Sequence, residues 1–329
     1  MSTKLLSEAD VSARLSLPDA LSTVEKTYVE DARGRVINPP KLTMHMGDDG
    51  EWPDLNAFSI DMPAYVDWLG VAGTKWAVAT WDADSDPISS LILLFDPDRA
   101  RFTSIMEGMY LTGVRTALQS VVGVRHLPDS SPESVGVVGA GFQARFQLSA
   151  LDELTDVSSF RLFDTDGAAA RELAAELNPR IDAEIVVRDS VEAVTRTDAL
   201  LTVTDSKTPV FEDPTDGPDV IVALGSYREL PDETILGADH LLVDHVEQCL
   251  NRGALADLAA RGELTRDDIH ATIGTVLDGG YDRRIAPGDR TVFVPIGIGA
   301  LDIALADSVL RGDGAGPFEA FEFAASGRR

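Results

Sequence analysis

The chain of 329 residues is long enough for two domains, and its 44% hydrophobic content suffices for sizeable cores. Its 55 acidic and 28 basic residues give a net charge of −27, which argues against nucleic acid or anionic membranes as partners because phosphate contacts need a basic face. The single cysteine excludes an internal disulfide bond and fits a reducing compartment.

Two further features of composition concern where the protein works. No apolar run is long enough to span a membrane, and the first residues lack the apolar core of a signal peptide, so we expect a cytoplasmic protein. Five of the 28 basic residues are lysines, at positions 4, 26, 41, 75 and 207. Acid-rich, lysine-poor surfaces are typical of proteins that work in high salt, so we expect a halophilic source, with an ordinary acidic protein from a GC-rich genome as the alternative.

The first third of the chain predicts helices followed by mainly antiparallel strands. Ser7 is a predicted N-cap for a helix over 8–15, and Pro18 lies in the first turn of a helix that ends before Gly34. Strands are predicted within 35–46 and at 55–62, 68–80, 88–95 and 102–106, with a loop at 47–54, a turn at 82–87 and a connecting helix at 107–127.

From Ser134 onward the pattern changes to alternating strands and helices, which is typical of a parallel sheet. The predicted strands are 134–139, 159–163, 184–188, 199–204, 219–225, 240–244 and 291–294. The predicted helices are 142–152, 167–177, 190–195, several between 246 and 279, and 300–310, with a polar loop at 209–218.

A glycine turn lies between the first of these strands and its helix. Gly139 and Gly141 begin a Gly-x-Gly-x-x-Ala pattern that ends at Ala144, and Asp164 stands at the end of the next strand. Such glycines let a pyrophosphate approach the backbone and the helix N-terminus, and the acid binds the adenosine ribose. The pattern predicts an α/β fold with a doubly wound parallel sheet of the Rossmann type, although a tight turn without a ligand is the alternative.

No other catalytic motif stands out. The five histidines show no metal-ligand spacing, and there is neither a serine-hydrolase elbow nor a Walker lysine, so we expect no metal site. A nicotinamide or flavin cofactor is therefore expected to carry the difficult chemical step, with the protein placing charges around it.

Three cationic residues that precede Ser134 in the chain could hold a small acidic substrate. Lys41 follows two prolines, Lys75 lies within a predicted strand, and Arg115 lies on the connecting helix. An amine on a largely buried strand has an easily shifted pKa, which suits proton transfer, and a guanidinium holds a carboxylate through two hydrogen bonds. The alternative for each is a surface or structural ion pair.

With these residues together, the chain resembles the ornithine cyclodeaminase/μ-crystallin family, which includes archaeal-type alanine dehydrogenases and ketimine reductases. Ordered motifs at family-like spacing carry the resemblance over nearly the whole chain. They are Leu6-Ser-Glu-Ala-Asp-Val11, Pro39-Pro40-Lys41, Met62-Pro63-Ala64, Gly73-Thr74-Lys75, Leu94-Phe95-Asp96, Leu111-Thr-Gly-Val-Arg-Thr-Ala117, Gly139-Ala-Gly-Phe-Gln-Ala144, Thr202-Val203-Thr204, Gly225-Ser226 and Gly297-Ile-Gly-Ala-Leu-Asp302.

The resemblance implies a Rossmann domain over 119–299 and a smaller α+β lobe, 1–118 with 300–329, for substrate binding and dimerisation. It implies that Lys41, Met62, Lys75 and Arg115 bind the substrate, and that Lys75 also transfers a proton. The cofactor residues that it implies are Thr116, Gly139, Gly141, Phe142, Gln143, Asp164, Thr204 and Gly225. Because residues 163–166 include no arginine for a 2′-phosphate, NAD is favoured over NADP.

The chain departs from the family pattern at two positions. Cyclodeaminases and the alanine dehydrogenases carry an aspartate two residues after the glycine that here is Gly225, but this chain has Tyr227. Ile60 stands where cyclodeaminases tend to have a glutamate for the distal amine of ornithine, and strand alternation turns Asp61 to the other face. Recognition of the substrate nitrogen is left to Tyr227, Glu229 or Asp302, or is absent, so we add Tyr227 and Asp302 to Lys75 as candidate catalytic residues.

The leading hypothesis is an NAD(H)-dependent oxidoreductase that acts on a C–N bond of a small amino or imino acid, like an alanine dehydrogenase or a ketimine reductase, and that forms a homodimer. One alternative is an ornithine cyclodeaminase, which converts ornithine to proline and ammonia while NAD is recycled. Another is a crystallin-like binding protein with little turnover. The sequence does not identify the pocket for the substrate side chain. Four apolar residues near Lys75 either line that pocket or belong to the core: Phe58, Ile60, Met62 and Trp76.

Overall fold

The computed structural model describes residues 2–47, 52, 56–80, 88–212, 217–224, 228–281, 289–312 and 319–321. The chain forms two compact units. Unit 1 comprises Met1–Arg115 with Ile298–Arg329, and unit 2 comprises Thr116–Gly297. Within the described ranges, no helix is both long and apolar enough to cross a membrane.

The strands and helices have the following bounds. The strands are β1 (Thr3–Leu6), β2 (Val36–Ile37), β3 (Leu42–Met46), β4 (Ala57–Val66), β5 (Val71–Thr80), β6 (Ile88–Asp96), β7 (Arg101–Glu107), β8 (Ser134–Val138), β9 (Ser159–Phe163), β10 (Glu184–Val187), β11 (Ala199–Thr202), β12 (Val220–Ala223), β13 (His240–Val243), β14 (Ala271–Thr272), β15 (Thr291–Val294) and β16 (Glu319–Phe321). The helices are α1 (Glu8–Ser12), α2 (Leu17–Ala32), α3 (Met109–His126), α4 (Phe142–Leu154), α5 (Gly167–Leu177), α6 (Asp232–Leu236), α7 (Val246–Asn251), α8 (Ala256–Ala260), α9 (Ile273–Leu277) and α10 (Gly299–Arg311).

Unit 1 is built on one sheet with the order β16-β1-β7-β6-β5-β4-β2, and β3 also pairs with β4. Its long strands are antiparallel, as the sequence predicted, whereas β1 pairs with β7 in parallel and was not predicted. The predicted strand over 68–80 begins later than expected, because Asp67–Leu69 form a single 3₁₀ turn before β5. Ser7 caps α1 as predicted, within a reciprocal capping box that includes Asp10.

The α10 helix covers one face of this sheet. It packs against β4, β5 and β6 and against α2, and nearly all of its residues are buried. Gly299 permits the close approach of its first turn, because a Cβ atom there would lie 2.7 Å from the carbonyl oxygen of Met62. Asn38 accepts a hydrogen bond from the backbone N–H of Ala300 at 3.3 Å, which satisfies one free donor of the helix start. The helix that carries Asp302 is thus fixed to the sheet at its first turn.

Unit 2 has the predicted Rossmann-type architecture. Its sheet is entirely parallel, in the order β10-β9-β8-β11-β12-β15-β13-β14. The chain builds outward from β8 to one edge and then returns to β11 on the other side, so the order reverses at β8. The central strands β11, β12 and β15 are buried at every residue, which fits a sheet covered on both faces and explains their continuous apolar sequences.

Several sequence predictions for unit 2 need correction. The helix predicted over 190–195 is a 3₁₀ turn, Val191–Ala193, while α6 and β14 were not predicted. All three are too short to produce a helical or strand periodicity that can be read in the sequence. The turn predicted at 82–87 lies outside the described residues, as do parts of the loops predicted at 47–54 and 209–218.

We expect the folded state to be stabilised by salt. The net charge of −27 makes self-repulsion a large unfavourable term, and the Debye length falls from about 10 Å at 0.1 M to about 3 Å at 1 M salt. Thermal unfolding in increasing KCl should show a rise in Tm that is largely complete by about 1 M, because screening is then nearly saturated. A Tm that is unchanged or lower over this range would contradict the role of surface repulsion.

Candidate functional site

The structure brings Lys75, Arg115 and Asp302 together in one buried cluster of unit 1. The Nζ atom of Lys75 donates to Oδ1 of Asp302 at 3.1 Å, and Nε of Arg115 donates to the same oxygen at 3.4 Å. The three residues are only 3%, 6% and 0% exposed, respectively. This arrangement is a buried ion triad with two cations and one carboxylate, and therefore carries one net positive charge.

Each member of the triad comes from a different element. Lys75 lies on β5 in a cross-strand row with Met62 of β4 and Ile92 of β6, and this row is buried on the α10 side of the sheet. Asp302 lies in the first turn of α10, and Arg115 lies on α3. The close packing of α10 on the sheet is therefore what places the carboxylate against the two cations.

Burial and charge shift the acid–base properties of the triad. Burial lowers the pKa of Lys75 to about 8; the negative charge of Asp302 raises it only in part, and the Arg115 cation lowers it further. Burial alone would raise the pKa of the Asp302 carboxyl, but the Arg115 and Lys75 cations hold it below its usual range. Near neutral pH the triad therefore pairs an ionised carboxylate with an amine that can both hold and release a proton.

One carboxylate oxygen of the triad has spare bonding capacity. Oδ2 of Asp302 is buried and has no hydrogen-bond partner among the described residues. A buried acceptor without a partner is costly, so such an atom is expected to bond a donor in a functional state. The triad can therefore offer cations to an anionic group and an acceptor to an N–H group.

Lys41 and Trp76, two other residues considered for the substrate site, lie toward opposite faces of the unit 1 sheet. The register pairs Leu42, the first residue of β3, with Asp61. Continuing that register by one residue beyond the strand sets Lys41 opposite Met62, the cross-strand partner of Lys75. Trp76 does not belong with them, because it pairs with Asp61 on the opposite face of the sheet and is 49% exposed. Trp76 therefore neither lines a pocket beside Lys75 nor belongs to the core, so both alternatives considered for it are wrong.

The glycine turn of unit 2 lies between β8 and α4. Gly139 has φ +112°, and a Cβ atom there would lie 2.4 Å from the carbonyl oxygen of Val203, so only glycine fits without strain. Gly141 is the N-cap of α4, has no side-chain cap and has open space where a Cβ atom would lie. Asp164, at the end of β9, accepts a hydrogen bond from the N–H of Ala140 at 2.7 Å, which ties the acid to the turn.

The remaining predicted cofactor residues lie as follows. Phe142 begins α4 and is exposed, while Gln143 is half-buried in the same first turn. Thr116 is half-buried on α3, and Thr204 follows β11 directly after Val203. Gly225 and Tyr227 lie outside the described residues.

Two residues contribute to these sites that the sequence did not predict in these roles. Thr112 accepts a hydrogen bond from Nζ of Lys75 at 3.4 Å and lies three residues before Arg115, on the same side of α3. The three-residue spacing within the Leu111–Ala117 motif could have predicted that Thr112 lies beside Arg115 on the helix. Glu229, considered only as an amine-binding residue, is instead buried and bonded to Thr202 and Thr204, and no local pattern predicts that contact.

Comparison with known proteins extends over almost the whole chain. The sequence profile of the ornithine cyclodeaminase/mu-crystallin family matches residues 1–311. The alanine dehydrogenase of Archaeoglobus fulgidus is 29% identical over 317 residues, which cover 94% of this chain and 94% of that protein.

Solved structures of similar proteins share the same fold. The Δ(1)-pyrroline-2-carboxylate reductase of Thermococcus litoralis, in complex with NADH and L-proline, has a TM-score of 0.85 at 25% identity and covers 94% of this chain and 97% of its own. An archaeal alanine dehydrogenase dimer with bound NAD has a TM-score of 0.86 at 27% identity and covers 98% of this chain and 100% of its own.

Proposed function

The chain belongs to the ornithine cyclodeaminase/mu-crystallin family, and we propose that it is an NAD(H)-dependent oxidoreductase acting on a C–N bond of a small amino or imino acid. The observation that carries this proposal is the buried triad of Lys75, Arg115 and Asp302, with its single net positive charge and its unsatisfied carboxylate oxygen. One net positive charge matches a substrate with one carboxylate, and the free acceptor matches the N–H of an amine or iminium group.

We assign the triad residues different roles in binding and reacting with such a substrate. Arg115 and Lys75, with Lys41 just before β3, would bind the substrate carboxylate. Lys75 would also supply a proton in the reductive direction and accept it in the oxidative one, because its pKa of about 8 is close to the pH of the cell. Asp302 keeps Lys75 protonated near neutral pH and would accept a hydrogen bond from the substrate nitrogen through Oδ2.

The glycine turn fits NAD as the cofactor. Gly139 and Gly141 would leave room for a pyrophosphate beside the first turn of α4, and Asp164, bonded to Ala140 of the turn, would accept from ribose hydroxyls. Bound NADH would supply the hydride for reduction of an imine carbon. A carboxylate at this position disfavours a 2′-phosphate by charge, so NAD is the proposed dinucleotide rather than NADP.

A second charged end on the substrate is not favoured by the surroundings of Lys75. Asp61 is adjacent in sequence to Met62, but it pairs with Trp76 on the other face of the sheet and accepts a hydrogen bond from Thr74. Its carboxylate therefore faces away from the triad. We accordingly place imino acids with apolar side chains, such as cyclic imino acids and the imines of short 2-oxo acids, ahead of ornithine.

The test is oxidation of NADH by the purified protein in buffers from low to molar salt. The substrates are pyrroline-2-carboxylate, piperideine-2-carboxylate, and pyruvate with ammonia or methylamine. We expect NADH consumption with at least one of them, and faster turnover with NADH than with NADPH. Ammonia and proline formed from ornithine with catalytic NAD and no net NADH would show a cyclodeaminase instead, and binding of NADH without turnover on any substrate would show a binding protein.

We also propose that the protein forms a homodimer through the open face of the unit 1 sheet. Exposed apolar side chains share this face, opposite the side that α10 covers: Ile37, Leu42, Trp76, Leu91 and Phe102. A face with this many large apolar side chains is typical of an interface. The similar archaeal alanine dehydrogenase is a dimer.

Two negative charges introduced on this face should weaken the dimer. Trp76 and Leu91 are cross-strand neighbours, 49% and 45% exposed, and glutamate at both would add like charges to an apolar interface. We expect the double variant Trp76→Glu/Leu91→Glu to be monomeric in light scattering at a concentration where the wild type is dimeric. The control is Leu236→Glu, at an equally exposed leucine of unit 2, which should stay dimeric. Dissociation in the control, or an intact dimer in the double variant, would place the interface elsewhere.

A further inference from the structure

Glu229 is a buried carboxylate that none of the proposed chemistry uses. It is 1% exposed, and its two oxygens accept from the side chain of Thr202 at 3.1 Å and from the backbone N–H of Thr204 at 2.5 Å. Its own carbonyl oxygen accepts from the N–H of Val210 at 2.9 Å. Glu229 thus links the end of β11 to Val210, in the segment that connects β11 with β12.

The position of these contacts explains why a carboxylate is needed. The ladder on β11 ends at Thr202, whose carbonyl oxygen accepts from Leu224, and Val203 still donates to Val138 of β8 at 2.8 Å. Thr204 lies beyond both ladders, so its N–H needs another acceptor. Burial of a carboxylate is costly unless donors surround it, and the two threonines supply such donors.

The segment that Glu229 holds is one wall of the glycine turn. A Cβ atom on Gly139 would lie 2.4 Å from the carbonyl oxygen of Val203 and 3.1 Å from Cγ2 of Thr204. Residues 203–204 therefore lie directly against the residue whose φ of +112° shapes the turn. A shift of this segment would open the space behind Gly139 and let the turn relax away from its present conformation.

We infer that Glu229 is a positioning residue for the dinucleotide: it fixes Val203 and Thr204 against Gly139 and so holds the glycine turn in the conformation that binds the pyrophosphate. The inference rests on the proposed NAD(H) dependence. In this proposal Glu229 acts through its bonds to Thr202 and Thr204 and is not a ligand of the cofactor. Its removal should therefore weaken dinucleotide binding more than it slows the chemical step.

The experiment compares Glu229→Ala and Glu229→Gln with a matched control at the other end of β11. Asp198 directly precedes that strand and accepts from the backbone N–H groups of Glu133 at 3.0 Å and Ser134 at 2.8 Å. Asp198→Ala therefore removes a carboxylate of similar bonding from the same strand but far from the glycine turn. The readouts are the Kd of NADH by fluorescence titration, the KM for NADH, kcat at saturating NADH, and Tm.

We expect Glu229→Ala to raise the Kd and KM of NADH on the order of 10-fold, equivalent to about 1.4 kcal/mol, with a much smaller change in kcat. Glu229→Gln keeps an oxygen acceptor for Thr204 and should lie between Glu229→Ala and the wild type; it serves as the informative variant if the alanine form does not fold. Asp198→Ala should lower Tm and leave the Kd of NADH unchanged.

Two results would overturn the inference alone: wild-type Kd in both Glu229 variants, or an equal rise in Kd in Glu229→Ala and Asp198→Ala. The second result would show that Glu229 acts only on general stability. A wild-type protein that does not bind NADH would instead overturn the proposed function and this inference with it.

Discussion

The Asp302→Asn variant is expected to lose about 3–5 kcal/mol of unfolding free energy, because it leaves two buried cations without their carboxylate. Lys75 and Arg115 both donate to the same oxygen of Asp302, and all three side chains are nearly inaccessible to solvent. The measurement is urea unfolding at neutral pH and fixed high salt. Asparagine has nearly the shape of aspartate, so the loss reports the charge and not a cavity.

The control is a solvent-accessible cluster of unit 2 in which one carboxylate, that of Glu176, also binds two arginines. Glu176 bonds Arg145 at 2.7 Å and Arg180 at 3.2 Å on the surface, where water and salt screen the charges. Glu176→Gln should therefore change the free energy of unfolding much less than Asp302→Asn. Equal losses in the two variants would mean that the triad contributes no more to stability than a solvated pair.

The pH dependence of stability gives a second readout of the triad. The folded-state pKa of Asp302 is lowered, so its contribution is present above the ordinary aspartate value of 3.8 and is lost as the pH falls through the lower folded value. The pKa of Lys75 is lowered from 10.5 to about 8, so between these values the unfolded chain binds more protons and stability rises with pH. In Asp302→Asn the acid-side term should disappear, and the rise on the alkaline side should begin at a lower pH.

The sequence could predict individual members of the triad but not their contacts, because the members lie far apart along the chain. Lys75 and Arg115 could be chosen by chemistry, because a lysine inside a strand and an arginine on an otherwise buried helix need anionic partners. Their shared partner, Asp302, is 227 residues from Lys75 and 187 from Arg115. Only the family resemblance drew attention to it, since the contact depends on where α10 packs and not on any local pattern.

The parallel sheet could be predicted more fully than the contacts at its edge. Strands β8, β9 and β10 are short runs rich in apolar residues, separated by the helices α4 and α5, and that rhythm predicts both their type and their parallel order. The bond between Glu229 and Thr204 depends on the path of two loops, which no periodicity specifies. The wrong interpretation of Trp76 has a similar origin. Strand alternation puts Trp76 and Lys75 on opposite sides of the sheet, but only the pairing register and the packing of α10 show that Lys75 is on the covered side.

Lys75→Ala is expected to lower turnover in the reductive direction by about 10²–10⁴-fold, the range for loss of a positioned general acid. In the wild type, kcat/KM for imine reduction should fall as the pH rises past about 8, because the amine then loses the proton that it must donate. The rate–pH profile with a cyclic imino acid measures both effects, with the substrate's own ionisation corrected separately. Lys26→Ala, at a lysine that lies over the Trp68 ring, serves as the control and should keep the wild-type profile.

The same profile distinguishes a proton donor from a simple cation. Lys75→Arg keeps the positive charge but does not titrate in this range, so it should bind substrate and lose most of the turnover together with the fall above pH 8. In Asp302→Asn the fall should move on the order of one pH unit lower, because Asp302 is the group that raises the pKa of Lys75. A profile that stays at about 8 in Asp302→Asn, or an active Lys75→Arg enzyme with the wild-type profile, would assign the titration to another group. Lys75 would then only hold the carboxylate, and the proton would have to come from elsewhere.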